Sequence, residues 1–158
     1  MAAAWAERIR PPAKMDGHSR MEWLCGEIYS YISNASLVLV EGPSYGSSGS
    51  QGFHEGAGLW WLVTHRLWKN GFRTAIVPPK TRAKYATGNG GASKDAVFAA
   101  AIRRYKDVDF DGNDAADALI LAAMGADYLG HPLAIVPKVN RAALDAIEWP
   151  ENLVPAPA

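Results

Sequence analysis

The stretch that most narrows the possible folds is Leu37-Val38-Leu39-Val40, closed by Glu41 and broken by Gly42-Pro43. A short, unbroken apolar run of this kind suits a strand covered on both faces, as in a parallel sheet. A second run, Arg73 to Val77, ends at Pro78-Pro79. Around these two lie helical patterns. Arg20 to Ile32 carries Met21, Leu24, Cys25, Ile28 and Ile32 at helical spacing, and Leu59 to Asn70 carries Leu59, Trp60, Val63, Leu67 and Trp68, with Gly71 placed as a C-cap. Ser93 is placed to N-cap a helix over Lys94 to Tyr105, and a long helix is expected over Asp114 to Leu129. Trp5 to Arg10 alternates loosely, as an edge strand would. Ser44 to Gly58 and Thr87 to Ala92 read as glycine-rich loops, and past His131 the chain turns Pro-rich and is expected to fray. This order predicts an α/β domain, a sheet flanked by helices and at least partly parallel. Two parallel strands and one edge strand are few for a stable open sheet, so the chain reads as short of strands.

The length of 158 residues suits one ordinary domain, and a hydrophobic fraction of 49% supplies a core. The one cysteine, Cys25, excludes an internal disulfide or a cysteine-based zinc cluster and is compatible with a reducing cytosol. Its apolar surroundings, Met21-Glu22-Trp23-Leu24, read as those of a buried structural thiol. No apolar stretch approaches the length of a membrane span, and residues 1–6 lack the basic start of a signal peptide. Net charge is zero but unevenly laid out. Arg66 to Lys106 holds ten Lys or Arg against the one acid Asp95, while Asp107 to Asp127 holds six Asp and no Lys or Arg. The first block suits phosphate contacts and the second suits metal ions, with ordinary charged helix faces as the plainer alternative.

Asp114-Ala115-Ala116-Asp117-Ala118-Leu119 is the most informative string. With Asp114 opening a helix, Asp114 and Asp117 share one face of its first turn. Their repulsion is partly offset by the helix dipole, and a hard divalent cation such as Mg²⁺ or Mn²⁺ would offset it far more. On the helix alone, capping and dipole roles explain the pair equally well. Glu41 shifts that balance, because ligand sites of α/β sheets lie beyond the carboxyl ends of strands. Three carboxylates could hold two metals roughly 4 Å apart, one activating a water and the other stabilising the leaving oxygen of a phosphodiester.

Competing motifs fail in particular places. Asp107-Val108-Asp109-Phe110-Asp111-Gly112 begins like a calcium loop, but the eighth position is Asp114 and the twelfth is Ala118, where a bidentate Glu is needed. Gly88-Asn89-Gly90-Gly91-Ala92-Ser93-Lys94 lacks the Gly before and the Ser or Thr after the Lys that a nucleotide-binding loop requires. It could still cradle a phosphate through backbone N–H groups, or be a plain connector. His18, His54, His65 and His131 share no spacing, with His54 notable only for following Glu41. Most of the six Trp read as packing residues, whereas Tyr45, in a small polar loop, is a candidate for base stacking.

Val38-Leu39-Val40-Glu41 followed by Asp114-Ala115-Ala116-Asp117-Ala118-Leu119 resembles the RuvC family of Holliday junction resolvases, and more specifically the RuvC-like resolvases of actinobacterial phages. Between them, Pro79-Lys80-Thr81-Arg82-Ala83-Lys84, Thr87-Gly88-Asn89-Gly90 and Ser93-Lys94 resemble that family's basic segment. The similarity runs from about Arg8 to Leu129. It implies an RNase H-like fold with a mixed sheet over residues 1–130, followed by a Pro-rich tail over 131–158. It also implies a homodimer, in the cytoplasm or in the host cytoplasm if phage-encoded, that makes paired Mg²⁺- or Mn²⁺-dependent nicks across branched DNA. Glu41, Asp114 and Asp117 take the place of three of four metal-binding acids. Lys94 is implied as a catalytic and DNA-binding lysine, and Tyr45, Lys80, Arg82 and Lys84 as DNA contacts, Lys84 at a spacing one residue shorter than the family's. The family's dimer interface falls on the helix over Leu59 to Trp68. The departure is at the start, where the family has an apolar strand carrying Asp-x-Gly. Asp16 lies in a polar stretch and Glu7 in what resembles the third strand. The expectation is that Met1 is an internal start. The alternatives are a non-catalytic DNA-binding relic lacking the fourth acid, or an RNase H-like nuclease on other substrates.

Overall fold

A computed structural model describes residues 3–43 and 51–151, with backbone only at Gln51. Five longer helices and two strands follow one another as α1 (Gly17–Ile32), β1 (Val38–Glu41), α2 (Gln51–Lys69), β2 (Thr74–Val77), α3 (Pro79–Thr87), α4 (Lys94–Arg104) and α5 (Gly112–Tyr128). A single turn, α6 (Lys138–Arg141), runs into a 3₁₀ turn over Ala142–Ala146. β1 and β2 pair in parallel: Val38 N donates to Arg73 O at 2.9 Å and Gly42 N to Val77 O at 2.8 Å, a constant offset along both strands. The expected mixed sheet is not met among the described residues, which hold this parallel pair alone. Residues 5–10 form no strand either. Ala4 and Ala6 do pack on the core while Trp5 is exposed, so the alternation is real, but the segment joins no ladder.

The chain divides into two compact units. One holds residues up to Arg8, Leu39–Gly42 and everything from Ala75 onward; the other holds Ile9–Val38 and Pro43–Thr74. In the first, α3, α4 and α5 pack on one another. Ala83, Ala86, Ala101, Ala116 and Ala123 are all at most 5% exposed, and their lack of bulk lets the helices close around Tyr85, Leu119, Ile120 and Met124. In the second, α1 packs on α2, Leu24 and Leu67 are buried, and Tyr29 is set edge-on to Phe72 and beneath the Arg66 guanidinium. Cys25 is buried there, as expected of a structural thiol.

Three boundaries differ from expectation. α2 starts at Gln51, well before Leu59, although Gly52, Gly56 and Gly58 weaken a helix. α3 was not expected at all, yet Pro79 at its first position and Gly88 beyond its end, at φ +86° with its N–H on Lys84 O at 2.7 Å, are ordinary helix punctuation. The chain also does not fray at His131. Asn140, Ala143, Leu144 and Ile147 are buried, and Trp149 stacks on Tyr128 at 3.7 Å.

Candidate functional site

Glu41 is the last residue of β1, half-buried where the chain leaves the sheet. α5 begins two residues before Asp114, so Asp114 and Asp117 occupy successive turns of one face near its N-terminus. Asp114 is exposed, while the Asp117 side chain is only 13% exposed. α3 supplies the third element. Lys80 and Lys84 lie one turn apart and at least partly exposed, and Arg82, between them in sequence, turns to the opposite side and is 5% exposed. Its NH1 lies 2.6 Å from Glu41 Oε1 and 2.9 Å from Asp117 Oδ2. The two acids that the sequence places 76 positions apart thus meet at one guanidinium nitrogen.

These contacts are close but poorly aligned. Nε and NH1 of Arg82 are buried and meet no acceptor along an N–H direction. At NH1 the attraction is mainly that of neighbouring charges, with the short Glu41 contact also lowering that carboxyl as a hydrogen bond does. Burial pushes both carboxyls above the ordinary range, Arg82 and Lys94 pull both back, and each is raised further by a neighbouring acid: Asp117 acts on Glu41, and Asp114 acts on Asp117. Glu41, Asp114, Asp117, Arg82 and Lys94 therefore form one electrostatic group. Lys94 is exposed, at the start of α4, where Ser93 Oγ accepts from Ala96 N at 3.2 Å and fixes the helix start.

Not every expected contact belongs to this group. Arg82 is no surface phosphate contact; it is buried between the acids. Tyr45 lies outside the described residues. The glycine loop is not an open cradle of amides. Gly88 N donates to Lys84 O, Asn89 N to Thr87 Oγ1, Gly91 N to Asn89 Oδ1 and Ala92 N to Asn89 O. Those four donors serve the loop's own fold. Gly90 is required for a different reason, since a Cβ there would sit 3.0 Å from Lys80 O.

A second polar group went unnoticed in the sequence. Asp127, 3% exposed on α5, accepts from Tyr85 Oη at 3.0 Å and from Arg141 Nε at 2.9 Å, while Asn140 Nδ2 and Arg104 NH1 both donate to Tyr85 O. Burial is the chief cause holding the Tyr85 hydroxyl far above its ordinary range, so it stays protonated and a donor. Its signal was the placement of Asp127 in register with Ile120, Ala123 and Met124 on the apolar face of α5. The Trp residues also differ: Trp5, Trp61 and Trp68 are 63%, 68% and 76% exposed and are not core residues. Trp61 and Trp68 share one stripe of α2 with His54 and His65, beside an open groove of about 700 Å³ between α1 and α2.

The acids fit a hard divalent cation in kind, since they offer carboxylate oxygens about a common point already held by positive charge. In number they fall short: among the described residues no three His, Cys, Asp or Glu side chains converge closely enough to hold a metal.

No family model matches the sequence, and no curated protein matches it. Among solved structures, that of Thermus thermophilus RuvC superposes with a TM-score of 0.57 at 13% identity, over 82% of this chain and 79% of that one. The chain thus has a RuvC-like α/β fold. No helix among the described residues is long and apolar enough to cross a membrane.

Proposed function

We propose that this chain has an RNase H-like fold and is a Mg²⁺- or Mn²⁺-dependent endonuclease that cuts four-way or otherwise branched DNA, of the kind found in RuvC-like phage resolvases. The observation that carries this reading is the meeting of Glu41, from the end of β1, and Asp117, from the start of α5, at one cationic centre in a RuvC-like fold. Glu41, Asp117 and Asp114 are the residues that would hold the metal. When bound, it supplies an activated water and stabilises the leaving oxygen of the phosphodiester. The chain's own residues do the rest. Lys94, whose charge already acts on both acids, neutralises the phosphate being cut. Lys80 and Lys84, on the outward face of α3, hold the backbone on either side. Two copies joined through the exposed Trp61 and Trp68 of α2 would present two such centres to one junction. On this reading the protein works in the cytoplasm, that of the host if it is phage-encoded.

A second reading, a DNA-binding protein without cleavage, is favoured by Arg82 holding the acids and by the shortfall of ligands. One panel separates the readings. The wild-type chain with Mg²⁺ or Mn²⁺ is given a four-way junction, a three-way junction, linear duplex and an RNA–DNA hybrid. Paired nicks confined to the branched DNAs support the resolvase reading. Retention of the junctions with no nick in any substrate supports the binding reading, and cleavage of the hybrid alone overturns both.

A further inference from the structure

An open cleft of about 610 Å³, a size that takes a small ligand, lies wholly within the unit that runs from Ala75 onward, between α3, α4 and the stretch leading into α6. Its floor is α4. Ala96, Ala99, Ala100 and Arg103 recur at i, i+3, i+4 and i+7, so one face of the helix offers three methyl groups and ends in a cation. One wall is polar and fixed, because Arg104 NH1 and Asn140 Nδ2 both donate to Tyr85 O, at 3.2 and 3.0 Å. The other wall is apolar. Ala134 and Val136 pack on the core, and Ile135 between them is left outward, 96% exposed at the edge of the cleft. Two arginines line the cleft and no acid does. Arg103 is exposed, and none of the ion pairs among the described residues engages it.

A cleft of this make suits an anion that carries a flat, weakly polar group. A bare phosphate would be served by the arginines alone and would leave the alanine floor and Ile135 uncovered. A nucleotide uses both, with its phosphate on Arg103 and its base on the methyl floor, and guanidinium planes also stack on bases. A paired base cannot enter, since its faces and edges are taken up in the duplex. We infer that this cleft holds one unpaired nucleotide of a DNA strand. The inference rests on the reading of the chain as a DNA-binding protein, and on neither a metal nor cleavage. Along α4, Arg103 lies nine residues beyond Lys94, about 14 Å at the rise of a helix and about four base steps of a DNA strand. The cleft is therefore a contact separate from the one proposed for Lys94.

Fluorescence anisotropy on the full chain tests this with a short labelled oligothymidylate and a duplex of the same length. Wild type binds the single strand, and A99L, which fills the floor of the cleft, weakens that binding on the order of tenfold, the scale of one base contact. Duplex binding by A99L is unchanged. R103Q weakens single-strand binding on the same scale and lowers the slope of log K against log salt by about 0.7, as the loss of one phosphate contact does. Unlabelled dTMP competes with the single strand, and inorganic phosphate at the same concentration does not. Arg103 is exposed, so R103Q spares the core and decides the matter where A99L does not fold. Single-strand binding unchanged in R103Q, or an equal loss of duplex and single strand in A99L, overturns the inference. Phosphate that competes as well as dTMP reduces the cleft to an anion site and also overturns it. A wild type that binds a four-way junction but not the single strand removes this inference alone. A wild type that binds no DNA removes the DNA-binding reading and this inference with it.

Discussion

Glu41 and Asp117 bear the cost that burial imposes on any carboxylate, and Arg82 offsets it only in part. Because burial wins, both groups hold their protons more tightly folded than unfolded, where ordinary values of 4.5 and 3.8 apply. The stability tied to the protonated forms is thus fully present below those values and is lost as pH rises through the raised folded ones. In chelator-treated protein, wild type should lose stability relative to E41Q over that rise, as read by denaturant unfolding from about pH 4 upward. Equal slopes for the two proteins would show that Glu41 is not held up by burial. Single residues were unevenly legible. Glu41 declared itself by ending an apolar run, and the Asp114/Asp117 pair by its spacing. Arg82 looked like one more basic residue among ten, because a residue's charge is written in the sequence but the direction in which its helix turns it is not.

That direction is an element-scale property, and α3 was the element missed. Its Pro79 start and Gly88 end were visible, but Lys80 to Lys84 drew attention to charge instead of to helical period. α2 shows the opposite failure. Its three early glycines argued for a loop, and helix continued through them to Gln51. The same helix leaves Trp61 and Trp68 on its exposed side, where two large apolar rings gain little from water. If that stripe joins two copies, W61S together with W68S converts a dimer to a monomer in sedimentation velocity. Helix content is unchanged and stability shifts by no more than about 0.5 kcal/mol, as usual for surface positions. A monomeric wild type, or a doubly substituted chain that remains dimeric, would exclude this face.

For the whole molecule, the α/β class was legible from two short apolar runs set among helical patterns. The division into two units was not, since it depends on which segments meet in space. Nor was the order after His131, where single apolar residues such as Leu144 and Ile147 find partners that no local pattern announces. The RuvC-like fold carries Glu41 and Asp117 to one point, and the function proposed rests on that convergence. Its most direct test is Mg²⁺-dependent nicking of a four-way junction by wild type, E41Q and D117N, with junction binding measured in Ca²⁺ alongside. The expected result is nicking by wild type, a loss of at least about 100-fold in both variants (some 2.7 kcal/mol in the barrier) and junction binding unchanged. Nicking by either variant at the wild-type rate would contradict the assignment of Glu41 and Asp117 as the catalytic centre.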